Sequence, residues 1–527
     1  MNDTSLFTIL PGKPVITGSL SGPLTGLTDD SRLVTPGSCY IAKRGTHVDG
    51  HSMIASALEA GAAAIVAETP CSEEARQRNV LWVQTADTRE ADGLLMAAWN
   101  GFPSQNLVTI GVTGTNGKTT TSYLAHAILR HTWVKAGLVG TILYDNGRTR
   151  RQARNTTPGA AQLQAMLREM AENGCRAAAM EISSHALDQR RTAGLHLRVG
   201  IFTNLTQDHL DYHGDMERYF AAKRRLFEDM AAQGDLKCAA VVNIDDPWGR
   251  RLAEEFAGKL KIVTYGTDAS ADFRAIPGTM TIRGSDYELV HKGKSYLVRL
   301  PLIGLFNIYN SLAALAGTVA AGVGLRDAIA SLAHAPQVPG RLELISSGTG
   351  IQAFIDYAHT PDALANVCGT LKRLAPKRLI TVFGCGGDRD HGKRPLMGKA
   401  ASEVSDICIA TSDNPRGEDP DAILDDVMPG IPEAKRRRVT DRREAILEAL
   451  STARHGDVLL IAGKGHEDYQ EIAGVRHPFS DADIVREFFE ARERDIQASK
   501  QAEKQEKNDK KGSSRNGGSS PFGRKRA

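Results

Sequence analysis

The chain has 527 residues, of which 41% are hydrophobic, 24% charged and 6% aromatic. This length predicts about three or four domains, and this composition excludes a wholly disordered, collagen-like or coiled-coil chain. The formal net charge of +3 arises at one end, because residues 499–527 contain nine basic and three acidic side chains. The remaining body is nearly neutral and lacks the broad positive field that is typical of nucleic-acid-binding proteins.

The cysteines and the hydrophobic runs indicate a cytoplasmic protein. Seven cysteines are scattered along the chain without a C-x-x-C pair, which is typical of free thiols in a reducing compartment. No apolar run reaches the roughly 18–20 residues of a membrane helix. The first dozen residues also lack the basic and apolar regions of a secretory signal. We therefore expect a cytoplasmic protein that neither spans a membrane nor binds nucleic acid.

Short apolar strands alternate with amphipathic helices along most of the chain, which is the pattern of α/β domains. The segments CYIAK, AAAIVAE and VLWVQT are predicted strands of a first domain, residues 1–100. The turn-rich NGFPSQN leads into a central domain, residues 101–338, and HAPQVPGRLE leads into a third, residues 339–498. The Gly-, Ser- and Lys-rich segment 499–527 is predicted to be a disordered basic tail.

A glycine-rich loop in the central domain carries the strongest local signal. The segment GVTGTNGKTT, residues 111–120, follows an apolar strand and precedes an amphipathic helix. Backbone N–H groups of such a loop wrap phosphate oxygens, and the helix N-terminus adds partial positive charge. Lys118 is then expected to reach the β- and γ-phosphates, and the Thr119 hydroxyl to bind Mg²⁺. Val112 stands where the strict phosphate-loop pattern has glycine, so the loop is a variant; a glycine-rich turn with a chance lysine is the alternative.

Polar residues follow the next two apolar strands of the central domain. Glu181 ends the first of these strands, where a carboxylate lies near the phosphate loop and can hold magnesium. After the second strand, His209 and His213 have the spacing of a zinc helix but lack the glutamate of H-E-x-x-H. We expect His209 to serve magnesium or phosphate, with zinc or a structural role as alternatives. Lys223 lies among basic neighbours and, from its pattern alone, is expected to be a solvated cation.

Three loops of the third domain follow predicted strands and combine charges of both signs. They contain Arg389, Arg416 and Glu467, and a further polar segment, DYAHTP, begins at Asp356. Loops at the carboxyl ends of strands in one sheet meet at one edge. A ligand that carries both carboxylates and an ammonium group would match this mixture, although a basic surface loop remains the alternative for residues 383–395.

Together these motifs resemble those of the Mur ligases, ATP-dependent amide-forming enzymes of peptidoglycan precursor synthesis. The resemblance runs from about residue 27 to residue 489 and rests on GVTGTNGKTTT, NTTP, EISSHALDQ, TNLTQDHLDYH, YFAAKRRLF, NIYN, VPGR, DYAHTPDAL, FGCGGDRDHGKRP and GKGHE. It implies three α/β domains: a small N-terminal domain that binds UDP, a central parallel-sheet ATPase domain of the phosphate-loop type, and a C-terminal Rossmann-like domain. Folylpolyglutamate synthases share the phosphate loop but lack the first domain and the TTP and DNPR segments.

The resemblance also implies a reaction. The segment Asp413–Arg416 is similar to that of the members that add meso-2,6-diaminopimelate to UDP-N-acetylmuramoyl-L-alanyl-D-glutamate. In such a ligase the D-glutamyl γ-carboxylate attacks ATP, and the amine of diaminopimelate then attacks the acyl phosphate. Because water would hydrolyse that intermediate, we expect the domains to close on their substrates. The alternatives are a ligase for lysine or another diamino acid, a folylpolyglutamate-synthase-like ligase and a nucleic-acid-stimulated NTPase. We expect a monomer.

The site residues implied by the resemblance fall into four groups. ATP is expected to be bound by Gly114, Thr115, Asn116, Gly117, Lys118, Thr119, Thr120, Asn307, Arg341, Asp356 and His359. Magnesium is expected at Thr119, Glu181, His209 and Lys223, the last carbamylated by CO₂, with Lys118, Glu181, His209 and Lys223 as catalytic residues. The UDP-muramoyl-dipeptide is expected at Asp30, Ser31, Thr46, His47, Val48, Asn155, Thr156, Thr157, Ser183, Gln189 and Arg191. Diaminopimelate is expected at Arg389, Asp413, Asn414, Pro415, Arg416, Gly463 and Glu467.

Overall fold

The computed structural model describes residues 4–45, 48–374 and 376–513. The chain divides into two compact units between Pro336 and Gln337. Within the described ranges, none of the helices combines the length and the apolar character of a membrane span.

The first unit begins with a five-stranded sheet in the order β1-β5-β4-β3-β2. The strand β1 runs antiparallel to β5, and the other neighbours are parallel. Buried residues such as Ile41, Val66 and Val83 fill the core beneath helix α3. The elements are β1 (Val15–Thr17), β2 (Leu27–Thr28), β3 (Cys39–Ile41), α1 (Ile54–Glu59), β4 (Ala64–Ala67), α2 (Glu73–Gln77), β5 (Leu81–Gln84) and α3 (Thr88–Trp99).

An eleven-stranded sheet forms the rest of the first unit, in the order β16-β15-β14-β13-β12-β11-β6-β10-β7-β8-β9. Its seven central strands, from β14 to β7, are parallel, and both ends are antiparallel. The strands are β6 (Val108–Thr113), β7 (Ala136–Val139), β8 (Leu143–Asp145), β9 (Arg150–Gln152), β10 (Ala177–Glu181), β11 (Val199–Phe202), β12 (Ala239–Asn243), β13 (Lys261–Gly266), β14 (Phe273–Thr281), β15 (Gly284–His291) and β16 (Lys294–Leu300). The helices are α4 (Lys118–Trp133), α5 (Ala160–Glu172), α6 (Ser184–Asp188), α7 (Leu210–His213), α8 (Met216–Ala232), α9 (Pro247–Glu255), α10 (Leu305–Ala320) and α11 (Leu325–Leu332).

The second unit contains a six-stranded sheet in the order β17-β18-β22-β19-β20-β21, which is parallel except at β17, and a separate hairpin of β23 and β24. The strands are β17 (Glu343–Ser346), β18 (Gln352–Asp356), β19 (Leu379–Cys385), β20 (Ile407–Ser412), β21 (Arg436–Arg438), β22 (Val458–Ala462), β23 (Tyr469–Ile472) and β24 (Val475–Pro478). The helices are α12 (Pro361–Arg373), α13 (Lys393–Val404), α14 (Pro420–Val427), α15 (Arg442–Thr452) and α16 (Asp481–Ser513).

Among the central strands of the large sheets, β10, β19 and β22 are buried along their whole length, and β6 is buried except at Val108. Parallel strands are covered by helices on both faces, which explains their continuous apolar sequences. The predicted α/β class and the parallel sheets of the central and C-terminal regions are therefore confirmed. The chain's seven cysteines are unpaired; six are buried and Cys71 is partly exposed.

The structure bears on two parts of the predicted domain organisation. The boundary predicted at residue 100 lies inside the first compact unit, where α3 packs closely on the central region: a Cβ on Gly93 would lie 2.6 Å from the Cβ of Ala193. Helix α16 continues to Ser513 and so includes residues 499–513, the first part of the segment predicted to be a disordered tail. Gln, Glu, Lys and Ala are strong helix formers, and they extend a helix whose first turns are already packed. Residues 514–527 lie outside the described ranges.

Candidate active site

The phosphate loop connects β6 to the sixteen-residue helix α4. Gly114 and Gly117 have φ angles of +143° and +85°. A Cβ on Gly114 would lie 1.9 Å from Thr203 Oγ1, and one on Gly117 would lie 2.3 Å from Asn310 Oδ1. The loop is thus held between the end of β11 and helix α10 in a conformation that only glycine fits. Its neighbours Thr115, Thr119 and Thr120 are buried at the start of α4 or just before it.

Polar contacts fix the remaining groups of this loop. The backbone N–H of Thr115 donates to the Asn204 carbonyl at 2.8 Å, and that of Asn116 donates to Asn204 Oδ1 at 2.9 Å. Lys118 Nζ folds back over the loop and donates to the carbonyls of Gly114 and Thr115 at 3.0 and 2.7 Å. The loop therefore has the lysine and the helix N-terminus that a nucleotide phosphate requires.

Glu181 lies at the end of β10 with no exposed surface. Its Oε2 accepts hydrogen bonds from Thr119 Oγ1 at 2.9 Å and Thr141 Oγ1 at 3.0 Å, and its Oε1 accepts one from Thr141 N at 2.7 Å. The carboxylate is thus joined directly to the threonine in the first turn of α4. Carboxylate and hydroxyl oxygens at this distance are the donors that Mg²⁺ prefers, so the predicted pair fits that cation.

His209 begins the short helix α7 with a φ angle of +52°. Burial lowers the pKa of its imidazole to about 4, and the neighbouring His185 and Lys118 add to this effect, although Asp208 opposes it. The ring is therefore neutral, as a metal ligand must be. His213, the other member of the zinc alternative, instead has its Nε2 3.0 Å from Ser184 Oγ.

Lys223 is buried, so the interpretation from its pattern as a solvated cation is wrong. Its side chain, 1% exposed, points inward from α8, and Nζ donates to the Gly114 carbonyl at 2.7 Å. The ammonium lies 4.4 Å from the ring centre of Tyr219. Burial first, and then the neighbouring Lys118, hold the pKa of Lys223 well below its usual value. A neutral amine is the form that adds to CO₂, so the environment fits a carbamate.

Residues expected to hold the muramoyl-dipeptide cluster around the same carboxylate. Thr157 Oγ1 donates to the Glu181 carbonyl at 2.8 Å and accepts from Ser183 N at 3.0 Å. Thr156 Oγ1 lies 3.0 Å from the Thr141 hydroxyl that binds Glu181. The structure therefore joins these positions to the predicted magnesium site.

Arg191 extends this cluster, and burial lowers the pKa of its guanidinium. It donates to the Thr157 carbonyl at 3.0 Å and to Gln189 Oε1 at 2.6 Å. Asn155 is anchored through its carbonyl, which accepts a 2.6 Å hydrogen bond from Tyr144. All six residues expected from this segment thus lie close together around the end of β10.

In the region of the first sheet, the structure describes three of the five residues predicted to bind the UDP-muramoyl-dipeptide. Asp30 caps the helical turn Ser31–Leu33, and its carboxylate binds the guanidinium of Arg32. This ion pair holds the pKa of Asp30 at about 2. Val48 is 59% exposed, and the predicted contacts Thr46 and His47 lie outside the described residues.

The remaining predicted ATP contacts lie in both units. In the first unit, Asn307 accepts a 3.0 Å hydrogen bond from Asn310, the residue that faces Gly117. In the second unit, Asp356 is buried and accepts the N–H groups of Leu342 and Ala358, both at 2.7 Å. Burial raises the pKa of Asp356, and Arg341 opposes that rise. Both Arg341 and His359 lie against the ring of Tyr357, at 4.8 and 4.7 Å from its centre.

The predicted amino-acid loops meet at the carboxyl ends of β19, β20 and β22. Asn414 Oδ1 accepts a hydrogen bond from Lys464 Nζ at 3.0 Å, and its Nδ2 donates to Glu467 Oε2 at 3.0 Å. Lys464 also binds Glu467 Oε2 at 3.0 Å and is fully buried. Sequence reasoning missed Lys464; its position between two glycines in GKGHE was the available signal. The three side chains form a compact polar cluster that fixes the glutamate.

Two arginines flank this cluster. Arg416, with a φ angle of +53°, donates from Nη1 to the Gly387 carbonyl at 2.7 Å. Arg389 is exposed and donates to the Asp388 carbonyl at 2.9 Å. Pro415 is buried beside Arg416. Asp413 lies close to Gly463, where an added Cβ would be 2.5 Å from Asp413 Oδ2, so the ends of β20 and β22 lie side by side. The predicted loops are therefore brought together.

The first unit has a phosphate loop with an acidic partner, Glu181. The second unit has the polar cluster of Asn414, Lys464 and Glu467. Both features fit an ATP-dependent ligase. Family models match three stretches of the chain: the Mur ligase family, catalytic domain, over residues 23–100; the Mur ligase middle domain over 112–318; and the Mur ligase, glutamate ligase domain over 340–465.

Curated relatives and a solved structure agree with these models. The UDP-N-acetylmuramoyl-L-alanyl-D-glutamate–2,6-diaminopimelate ligase of Geobacter metallireducens is 43% identical, over 89% of this chain and 94% of its own length. The ligase of that name from Aquifex aeolicus is 44% identical, over 88% and 93%. A solved structure of a ligase with that name superposes with a TM-score of 0.65 at 36% identity, covering 90% of this chain and 96% of its own. The chain belongs to the Mur ligase family.

Proposed function

We propose that this ligase joins meso-2,6-diaminopimelate to the D-glutamyl γ-carboxylate of UDP-N-acetylmuramoyl-L-alanyl-D-glutamate at the expense of ATP. The observation that carries the proposal is the position of Arg416, half-buried beside the cluster of Asn414, Lys464 and Glu467. The names of the relatives support the same substrates.

The polar cluster suits the zwitterionic end of the amino acid. Glu467 Oε2 already accepts hydrogen bonds from Asn414 and Lys464. Its Oε1 is then the acceptor for the substrate ammonium. The buried Lys464 fixes the carboxylate of Glu467 through Oε2, so that its other oxygen can accept a charge-assisted hydrogen bond from the ammonium group.

Arg416 suits the distal carboxylate, the group that distinguishes diaminopimelate from lysine. Among the described residues, Nη1 of the Arg416 guanidinium donates to the Gly387 carbonyl at 2.7 Å, and the backbone N–H of Arg416 donates to the Glu471 carbonyl at 3.0 Å. A guanidinium can hold a carboxylate with two parallel hydrogen bonds. With lysine bound, this charge would lose its partner at a cost of about 3–5 kcal/mol, or roughly two to four decades of selectivity.

The phosphate end of the site is built for the approach of two anions. Lys118 and the N–H groups at the start of α4 bind the β- and γ-phosphates. The γ-carboxylate of the dipeptide attacks the terminal phosphorus, the bond to the bridging oxygen breaks, and ADP leaves an acyl phosphate behind. Thr119, Glu181 and His209 would hold Mg²⁺, and a carbamate on Lys223 would supply a further anionic ligand. Bound magnesium would neutralise charge on the phosphates. The amine of diaminopimelate then attacks the acyl carbon, and phosphate leaves.

We further propose that the enzyme acts as a monomer in the cytoplasm. Its seven cysteines are unpaired, as in a reducing compartment.

An amino-acid panel tests the proposed function. Release of ADP should require the UDP-muramoyl-dipeptide together with meso-diaminopimelate, and lysine should be at least about a hundredfold poorer in kcat/KM. Arg416→Ala should shrink that ratio with little effect on KM for ATP. Efficient turnover with lysine and none with diaminopimelate would contradict the proposal, and stimulation by polynucleotide instead of the dipeptide would assign the chain to another class.

A further inference from the structure

We propose that Arg394 and Glu418 form a positioning pair that sets selectivity for the distal carboxylate of the amino-acid substrate. The inference rests on the proposed function, in which Arg416 binds that carboxylate. Two segments are concerned: the glycine loop, Gly386–Asp390, and the arginine loop, Asn414–Glu418. The pair aims Arg416 by holding the first loop against the second.

Arg394 is the anchor of this arrangement. It lies in the first turn of α13 and is 1% exposed, so it does not reach a substrate itself. Its Nη2 donates to both carboxylate oxygens of Glu418, at 2.8 and 2.9 Å, and its Nη1 donates to Asp426 Oδ2 at 2.9 Å. Its charge is therefore fully matched by two carboxylates, which indicates a role in holding Glu418 and not in attracting an anion.

Glu418 links Arg394 to the glycine loop. Its Oε1, which binds Arg394, also accepts a hydrogen bond from the backbone N–H of Asp388. In return, Asp388 Oδ2 accepts the backbone N–H of Gly417 at 3.1 Å. The end of the arginine loop and the middle of the glycine loop are thus bound to each other in both directions.

Further hydrogen bonds connect the glycine loop to Arg416. The N–H of Gly387 donates to the Asn414 carbonyl at 2.9 Å, and the Gly387 carbonyl accepts Arg416 Nη1 at 2.7 Å. The two backbones are so close that a Cβ on Gly387 would lie 1.9 Å from the Pro415 carbonyl oxygen. The carbonyl that orients the guanidinium therefore belongs to a loop whose position depends on Glu418 and Arg394.

Glu418→Ala separates this role from a general structural one. The variant should raise KM for meso-diaminopimelate about tenfold while KM for ATP stays within about twofold, because only the aim of Arg416 changes. The ratio of kcat/KM for diaminopimelate to that for lysine should fall by a similar factor. Asp426→Asn is the matched control: it removes the charge of the other partner of Arg394 but leaves the contact to Asp388, and it should retain the wild-type ratio.

Two further variants keep the test decisive if Glu418→Ala folds poorly. Glu418→Gln can still accept the Asp388 N–H and should lose less selectivity. Arg394→Lys has one nitrogen in place of the two that bind Glu418 and Asp426, and it should lose more. A selectivity ratio that is unchanged in folded Glu418 and Arg394 variants overturns the inference, as does an equal rise in both KM values. If the wild-type enzyme does not use diaminopimelate, the proposed function is wrong, and so is this inference, which rests on it.

Discussion

Two lysines donate to one backbone carbonyl in the phosphate loop. Lys118 and Lys223 approach the oxygen of Gly114 at 3.0 and 2.7 Å from different helices, α4 and α8. The burial of Lys223 and the repulsion between the two cations favour the neutral form of that amine, and its pKa falls accordingly. A fully charged pair would be costly here. Conversion of Lys223 to an anion would remove this repulsion and give Lys118 a counter-charge.

Replacing Lys223 therefore tests a specific chemical role. Lys223→Ala should lose at least about a hundredfold in kcat, because the anionic ligand is gone. A small carboxylate such as acetate or propionate added to the assay should restore part of the rate by filling the vacated space. The measurement is initial ADP release at rising carboxylate concentration.

Lys237, an exposed lysine of the same unit, provides the control for this experiment. Lys237→Ala should keep the wild-type rate and should not respond to added carboxylate. A Lys223→Ala enzyme that works at full rate would show that the carbamate has no part in the reaction.

At the level of elements, the turn from β6 into α4 combines backbone strain with close packing. Gly117 precedes α4 at a φ angle of +85°, with Asn310 of α10 directly against it. Glycine at this point lets the helix begin where its first N–H groups face the phosphate. A side chain at position 117 would therefore strain the loop that is expected to bind the nucleotide.

Gly117→Ala should raise KM for ATP and lower kcat/KM by about ten- to a hundredfold, since strain of about 1–3 kcal/mol would displace the loop or Asn310. Gly159→Ala is the matched control, because Gly159 precedes α5 at a φ of −61° and its Cβ would meet nothing within 4 Å. Steady-state kinetics at varied ATP give the comparison. Equal kinetics of the two variants would show that the loop tolerates a side chain at 117.

The sequence allowed the phosphate loop and the strand-end loops to be predicted, because each is a local pattern placed at the end of an apolar strand. Burial of Lys223 and Lys464 could not be predicted in this way. A lysine is buried by elements distant in sequence, such as the loop at Gly114 for Lys223 and Asn414 for Lys464. Only the family resemblance gives Lys223 a functional role, against its local pattern.

At the scale of the whole molecule, the last helix has two different halves. The first turns of α16 pack into the second unit through Val485 and Phe489, and Asp481 pairs with the buried Arg442 at 2.7 Å. Residues 494–505 are exposed. Composition predicts disorder for residues 499–527, whereas α16 runs on to Ser513, because composition reports burial better than it reports helix formation on an existing helix end.

Removal of residues 499–527 should therefore leave catalysis unchanged and shift the unfolding temperature by no more than about 1–2 °C, since residues 499–505 are exposed. Thermal unfolding and the ADP assay measure both properties. A chain that ends after Ser480 provides the contrast: it loses Asp481, Val485 and Phe489 and should fail to fold. A large loss of activity in the shorter deletion would give the tail a role in the reaction.

The distribution of thiols provides one natural attachment point for a fluorescent label. Six cysteines are inside the protein and Cys71, between β4 and α2, is partly exposed. A maleimide fluorophore would thus attach at one place, on the first unit. A second dye introduced on the second unit would then allow the separation of the two units to be followed by energy transfer as each substrate is added in turn.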